Sequence, residues 1–198
     1  MIGKISKGKD FMGVLAYAAG ETAKDQHATL LDQNLVSNPS TENLARAFDD
    51  RLHLGKTTIP VLHFSLAPTK KDWQQFKENP DKARAIIGEY MELMGFDSHH
   101  PRAVYQHDEK DGCGHFHIIT TNILDSGKLW KSSKDHQRSM EACRTLETRY
   151  GLELVSSKPA EKRQAKKNEV EKYNRTGGIS PFEHIQNSID DILQNGLI

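Results

Sequence analysis

Hydrophobic and polar residues alternate along this chain in two periods. A period of two marks strands, and one near 3.6 marks helices. Residues 2–5 read as a short strand. Asp10 then stands at a helix N-cap position ahead of Phe11, Val14, Leu15 and Ala18, with a stop near Gly20. Residues 28–36 alternate poorly and are read as a second strand. Asn38-Pro39-Ser40 opens a helix with Pro39 in its first turn, Leu44, Ala45, Phe48 and Leu52 as its stripe, and Gly55 at its end. Residues 59–67 form the next strand: Val61, His63 and Ser65 share one face, and Leu62, Phe64 and Leu66 the other. Thr69 caps a helix that buries Trp73 and Phe76. Asn79-Pro80 restarts it through Ala83, Ile86, Ile87, Tyr90, Met91 and Met94 to Gly95.

Two strands follow, over 102–108 and 115–124, joined by an acidic, glycine-rich turn. Ser132 or Ser133 caps a helix that carries Met140, Cys143, Leu146 and Tyr150 inward and stops at Gly151. Residues 153–156 make a short strand at most. The order β-α-β-α-β-α-α-β-β-α, with its two hairpin strands, predicts an α+β fold: a five-stranded, mainly antiparallel sheet with helices packed on one face. The open face would carry the histidines. A break at Thr176-Gly177-Gly178 precedes a final amphipathic helix begun by Pro181.

The chemistry concentrates in the hairpin. His107, His115 and His117 form an H-x7-H-x-H pattern, and Phe116 between the last two points to the opposite face. Three neutral imidazoles suit a divalent transition ion with coordination positions left open. Asp108, Glu109 and Asp111 lie nearby and could accept from the second ring nitrogens. Such an ion would do Lewis-acid work on an anionic oxygen, with Ser, Cys or Tyr available as a nucleophile. From residue type alone, Tyr17 reads as a core tyrosine. Cys113 could ligate zinc, but it has no Cys-x-x-Cys partner.

Composition narrows the picture. Of 198 residues, 36% are apolar and 27% charged, and the net charge is zero, so global charge announces no nucleic-acid partner. Charge is uneven locally. Residues 1–9 hold Lys4, Lys7 and Lys9 and no acid, and residues 158–175 hold seven basic residues against three acids. No apolar run approaches the ~20 residues of a membrane span, and there is no signal region, so no membrane insertion and a cytoplasmic location are expected.

Taken in order, three segments resemble the motifs of conjugative relaxases, the HUH-type, tyrosine-dependent DNA nicking enzymes, and within them the MobA-like, MOBP class of mobilisation proteins. They are Gly8-Lys9-Asp10-Phe11 with Tyr17, His63-Phe64-Ser65-Leu66-Ala67-Pro68, and His107 with His115-Phe116-His117-Ile118. Asp125-Ser126-Gly127-Lys128, residues 135–138 and Tyr150-Gly151-Leu152 are also similar. The resemblance implies Tyr17 as the nucleophile, Ser65 as the phosphate-positioning serine, and His107, His115 and His117 as ligands of Mn²⁺ or Mg²⁺. His63, on the face of Ser65, would touch DNA or metal or serve structure. Lys4, Lys7 and Lys9 would track phosphates. The implied reaction nicks single-stranded DNA at an origin of transfer through a 5′-phosphotyrosyl intermediate, in a bacterial cytoplasm. Accessory mobilisation proteins and a coupling protein are further partners that it admits.

Residues 1–157 would be the nuclease domain. Residues 158–198 would be a basic and amphipathic helical segment covering DNA or leading to a further domain, as in an N-terminal fragment or a small mobilisation protein. The segment 108–114 departs from the Asp-Thr-Asp-His-Pro run frequent in the class, so which of its acids supports a ligand histidine is left unassigned. A rolling-circle replication initiator would place its tyrosine after the histidine pair, at Tyr150 or Tyr173. A non-catalytic accessory protein of the same fold would bind DNA without covalent attachment.

Overall fold

The structure is a computed structural model and describes residues 1–22, 27–109 and 111–155. In chain order it comprises β1 (Ile2–Gly8), α1 (Phe11–Ala18), β2 (His27–Gln33), α2 (Thr41–Asp49), a 3-10 turn (Leu52–Leu54), β3 (Val61–Ala67), α3 (Lys70–Glu78), α4 (Pro80–Leu93), β4 (Arg102–Asp108), β5 (Gly114–Thr121) and α5 (Asp135–Tyr150). The strands form one sheet in the order β1-β3-β5-β4-β2, and every neighbouring pair is antiparallel. The histidine hairpin β4–β5 is therefore central, with β3 beside it and β1 at one edge.

Period-two alternation divides the core. Leu62, Phe64 and Leu66 of β3, Val104 of β4 and Phe116 and Ile118 of β5 pack under α3–α5, where Trp73, Phe76, Tyr90 and Leu146 meet them. This is the expected α+β layer. The opposite face is not bare along its whole length. Val61, Ala103, Tyr105 and Ile119 lie beneath α1 and α2 with Phe11, Leu15, Leu44 and Phe48, and Phe11 and Phe48 stack at 4.6 Å. The reason lies within each strand. On that face β3 runs Val61, His63, Ser65, β5 runs His115, His117, Ile119, and β4 runs Ala103, Tyr105, His107. One end is apolar and takes helices, while the other is polar and stays open.

Local signals explain most boundaries. The Asp10 carboxylate accepts from Met12 N and Gly13 N at 3.0 and 2.9 Å. Ser40, Thr69 and Asn79 cap α2, α3 and α4, so Pro39 lies before its helix rather than in the first turn. Gly151 stops α5 in the left-handed region, at φ 62°. Lys134, at φ 53° and with no side-chain capping bond, precedes α5 in place of Ser132 or Ser133. Met140 is 54% exposed rather than inside. The poor alternation of the second strand is a bulge between Leu30 and Asp32. Leu30 and Leu31, adjacent and so on opposite faces, pack on different cores. Strand β5 ends at Thr121, and Ile123 makes only an isolated bridge to Leu129. Residues 152–155 are not strand. The expected basic segment 158–175, the final amphipathic helix and Tyr173 lie outside the described residues. Among the described residues, no helix is long and apolar enough to cross a membrane.

Candidate active site

The register of the sheet assembles the site. His107 pairs with His115 across β4–β5. His117 lies between Tyr105 and Ser65, and Lys4 of β1 is the next neighbour of Ser65. Ser6 pairs with His63 one row away. Strand alternation thus turns Lys4, Ser6, His63, Ser65, His107, His115 and His117 toward one face at its polar end.

The three hairpin histidines each offer a nitrogen within 4.8 Å of the others, and they are the metal-type cluster among the described residues; Cys113 is not in it. Hydrogen-bond partners decide which nitrogen is available. His107 Nε2 lies 2.6 Å from the Ala18 carbonyl at the end of α1. A carbonyl only accepts, so Nε2 carries the proton and Nδ1 holds the lone pair. That Nδ1 is buried and without a hydrogen-bond partner. His115 Nδ1 donates to Glu109 Oε1 at 2.8 Å, leaving its Nε2 as the lone-pair nitrogen. His115 Nε2 faces His117 Nε2 at 2.8 Å, and His117 Nδ1 meets His63 Nε2 at 2.6 Å. His63 Nδ1 lies 3.3 Å from Ser6 Oγ. A buried, unpartnered imidazole nitrogen beside two converging ring nitrogens fits a divalent ion, with oriented outer partners of the kind that fix ligand tautomers.

The electrostatics keep His63, His107 and His117 in the neutral form. Burial, then the neighbouring His63, His107 and His115, lowers the His117 pKa to about 2. Burial, then His115, His107 and Lys4, lowers that of His63 to about 4. Burial also lowers His107, against the opposing hydrogen bond to Ala18.

Tyr17 completes the arrangement and corrects the reading of it as a core residue. Phe11, Leu15 and Ala18 form the buried stripe of α1. Tyr17 falls off that stripe and is 42% exposed. Its ring meets His117 edge to face at 5.4 Å and lies 6.3 Å from His63. A cleft of about 320 Å³ is lined by Lys4, Ser6, Tyr17, His63, Ser65, His115 and His117. Tyr150 instead packs against the core under α3–α5, on the opposite side of the sheet.

Not every expected residue converges. Lys7 alternates to the helix-covered face, where its Nζ lies 2.6 Å from Asp135 Oδ2. It is not at the cleft, because β1 residues of odd number face the other way. Lys9 is exposed beyond the end of β1 and does not line the cleft. The sequence left three acids open as partners of the rings. Glu109 takes His115, whereas Asp108 pairs with Trp73 Nε1 at 3.0 Å and Lys77 at 3.2 Å, and Asp111 caps Cys113 N. Ser6 and the Ala18 carbonyl were missed. Ser6 was legible from its alternation with Lys4 once β1 was known to flank β3; a backbone carbonyl leaves no side-chain signal.

Comparisons with known proteins bear on the family and the fold. The family described as "Relaxase: MobA/VirD2-like, nuclease domain" matches residues 17–152. No curated protein sequence matches the chain. Among solved structures, the MobM relaxase domain (MOBV; Mob_Pre), bound to plasmid pMV158 oriT DNA with Mn, is similar at 10% identity. The TM-score is 0.52, and the match covers 90% of this chain and 100% of that one. A structure described as "Molecular Basis of Vancomycin Resistance Transfer in Staphylococcus aureus" is similar at 9% identity and TM-score 0.46, covering 81% of this chain and 100% of that one. The family match spans the tyrosine, the serine strand and the histidine hairpin alike, and the chain belongs to the MobA/VirD2-like relaxase nuclease-domain family.

Proposed function

We propose that this relaxase cleaves one strand of single-stranded DNA, site-specifically, at an origin of transfer by transesterification onto Tyr17. The observation that carries the reading is the placement of Tyr17 against His117 at 5.4 Å, on a cleft shared with Ser65 and Lys4. A nucleophile, a hydroxyl donor, a cation and a three-nitrogen ion site converge there. This is what attack on a phosphodiester needs. The MobM relaxase domain, solved with oriT DNA and Mn, supports both the substrate class and the ion.

His107 through Nδ1, and His115 and His117 through Nε2, would hold a divalent ion, Mn²⁺ or Mg²⁺. When bound, such an ion supplies Lewis acidity toward the non-bridging oxygens of the phosphate. The Lys4 ammonium attracts the backbone, and the Ser65 hydroxyl donates to a phosphate oxygen and fixes its orientation. The cleft is at the small end of ligand sites, so it accommodates a single phosphodiester and its adjoining sugars. The phenolic oxygen of Tyr17 forms a bond to phosphorus as the bond from phosphorus to the 3′-oxygen breaks. The 3′-oxygen leaves with the electron pair and takes up a proton, and the phenolic proton passes to solvent at the exposed side of the ring. The products are a 5′-phosphotyrosyl strand and a free 3′-hydroxyl. Attack by such a hydroxyl reverses the step and rejoins DNA. The same reading expects a location in the bacterial cytoplasm, with accessory mobilisation proteins and a coupling protein as later partners.

The test is incubation with a single-stranded oligonucleotide spanning the cognate nick site in the presence of Mn²⁺. The wild-type protein should give an SDS-resistant adduct, and Tyr17→Phe none. An adduct that persists in Tyr17→Phe refutes the assignment.

A further inference from the structure

Beyond the three ligands, the histidine chain continues outward in a way the cleavage step does not use. From His115 Nε2 it runs to His117 Nε2 at 2.8 Å, from His117 Nδ1 to His63 Nε2 at 2.6 Å, and from His63 Nδ1 to Ser6 Oγ at 3.3 Å. Its inner end is fixed: Glu109 holds the His115 proton on Nδ1, so His115 Nε2 can only accept. Without an ion, one direction satisfies every link. Ser6 donates its hydroxyl proton to His63 Nδ1, His63 Nε2–H donates to His117 Nδ1, and His117 Nε2–H donates to His115 Nε2. An ion on the His115 and His117 Nε2 atoms forbids that pattern, since a ligating nitrogen carries no proton. His117 must then hold its proton on Nδ1 and donate to His63 Nε2. His63 in turn donates from Nδ1 to Ser6 Oγ. No proton is gained or lost; the ion replaces the link between His115 and His117, and the two outer links reverse.

We propose that Ser6 and His63 are positioning residues, forming a relay that couples ion binding at the hairpin to the grip on the DNA phosphate. In the loaded state Ser6 Oγ accepts from His63, and its own hydroxyl proton is released toward the cleft it lines with Lys4 and Ser65. Ser6 becomes a second hydroxyl donor to the phosphodiester only when the ion is present. This rests on the ligand set proposed above but not on Tyr17 being the nucleophile.

The relay has a spectroscopic signature. In ¹⁵N-labelled protein, long-range ¹H–¹⁵N correlation of the imidazoles should find His63 protonated on Nε2 without ion and on Nδ1 after loading with diamagnetic Zn²⁺. Calorimetric titration with Mn²⁺ should find His63→Ala weaker by about tenfold to a hundredfold, as for outer partners of metal-bound histidines. In the Tyr17→Phe background, Ser6→Ala should reduce affinity for the single-stranded oligonucleotide about tenfold with Mn²⁺, in line with one hydrogen bond to a charged group. The reduction should be several-fold smaller without the ion. Ion binding with an unchanged His63 tautomer overturns the relay alone, as does a Ser6→Ala loss equal with and without ion. Absence of ion binding by the wild-type protein overturns both the relay and the ligand set. An adduct that survives in Tyr17→Phe removes the nucleophile assignment and leaves the relay standing.

Discussion

Gly114 opens β5 one residue before His115 and has no room for a side chain. A Cβ built there would fall far inside van der Waals contact with Trp73 Cε2 and Cζ2 and 2.5 Å from the His107 carbonyl oxygen. Neither neighbour can yield easily. Trp73 is 1% exposed, lies 5.0 Å from the Phe116 ring and donates to Asp108 at 3.0 Å. The His107 carbonyl belongs to the β4–β5 ladder, where Asp108 pairs with Gly114. Gly114→Ala must therefore displace the indole or open the end of the histidine hairpin. Overpacking of this kind typically costs about 1–3 kcal/mol, and with a ring and a backbone both fixed the upper end applies. At about 2–4 °C per kcal/mol for a chain of this size, the melting temperature should fall by about 6–12 °C. Because the strain enters beside His115, Mn²⁺ affinity should also fall, by at least about tenfold, the lower bound for disturbing the outer supports of a ligand. Thermal denaturation by circular dichroism and Mn²⁺ calorimetry measure the two effects. An alanine variant that melts within 1 °C of wild type would refute the claim that Trp73 and β4 are rigidly seated, and unchanged Mn²⁺ affinity would refute the link from that seat to His115.

Glu109→Gln removes the carboxylate that orients His115, and calorimetry should find Mn²⁺ bound about tenfold to a hundredfold more weakly; an unchanged affinity would show that Glu109 does not set the His115 tautomer. Lys4→Ala should lower the slope of log affinity for single-stranded DNA against log salt by about 0.7, the share of one phosphate contact on a single strand. Lys7→Ala should leave it unchanged, since that ammonium pairs with Asp135 on the other face; equal effects would place both lysines on the DNA path. The ion-free protein should lose stability on acidification. His63 and His117 have folded pKa values lowered to about 4 and about 2, against about 6.5 when unfolded. Between those limits the unfolded chain binds more protons, so stability falls with falling pH, by up to about 1.4 kcal/mol per pH unit for each histidine. Urea midpoints at pH 7, 6 and 5 measure this, and a flat series would contradict the burial of these rings.

Strand alternation carried much of the site in the sequence. His115 and His117 sharing a face with Phe116 turned away, and His63 sharing one with Ser65, follow from a period of two and are found in the structure. Helix caps at Asp10 and Thr69 were equally legible, because a short oxygen-bearing side chain before an amphipathic run has one main use. Other features depend on partners distant in sequence. The face of Tyr17 turns on where α1 lands, and α1 lands on the apolar end of a face whose other end is polar. The tautomer of His107 depends on a backbone carbonyl. Lys7 looked equivalent to Lys4 as charge, and only the β1–β3 register separates them. At residues 28–36 the blurred alternation was itself the signal, marking a bulge rather than a weak strand.

The bond from His107 to the Ala18 carbonyl has a consequence for how this family can vary in length. That carbonyl follows Tyr17 by one residue, so the last turn of α1 positions the phenol and a candidate ion ligand together. One residue inserted earlier in that helix would rotate everything after it by about 100°, carrying Tyr17 off the cleft and breaking the support of His107 at once. The turn at 109–113 is under a weaker constraint. It must deliver Glu109 to His115 and return the chain at Gly114, and residues added between them need not shift either strand's pairing. Indels should therefore collect in that turn and be purged from α1, a pattern that aligned homologues would display without any assay.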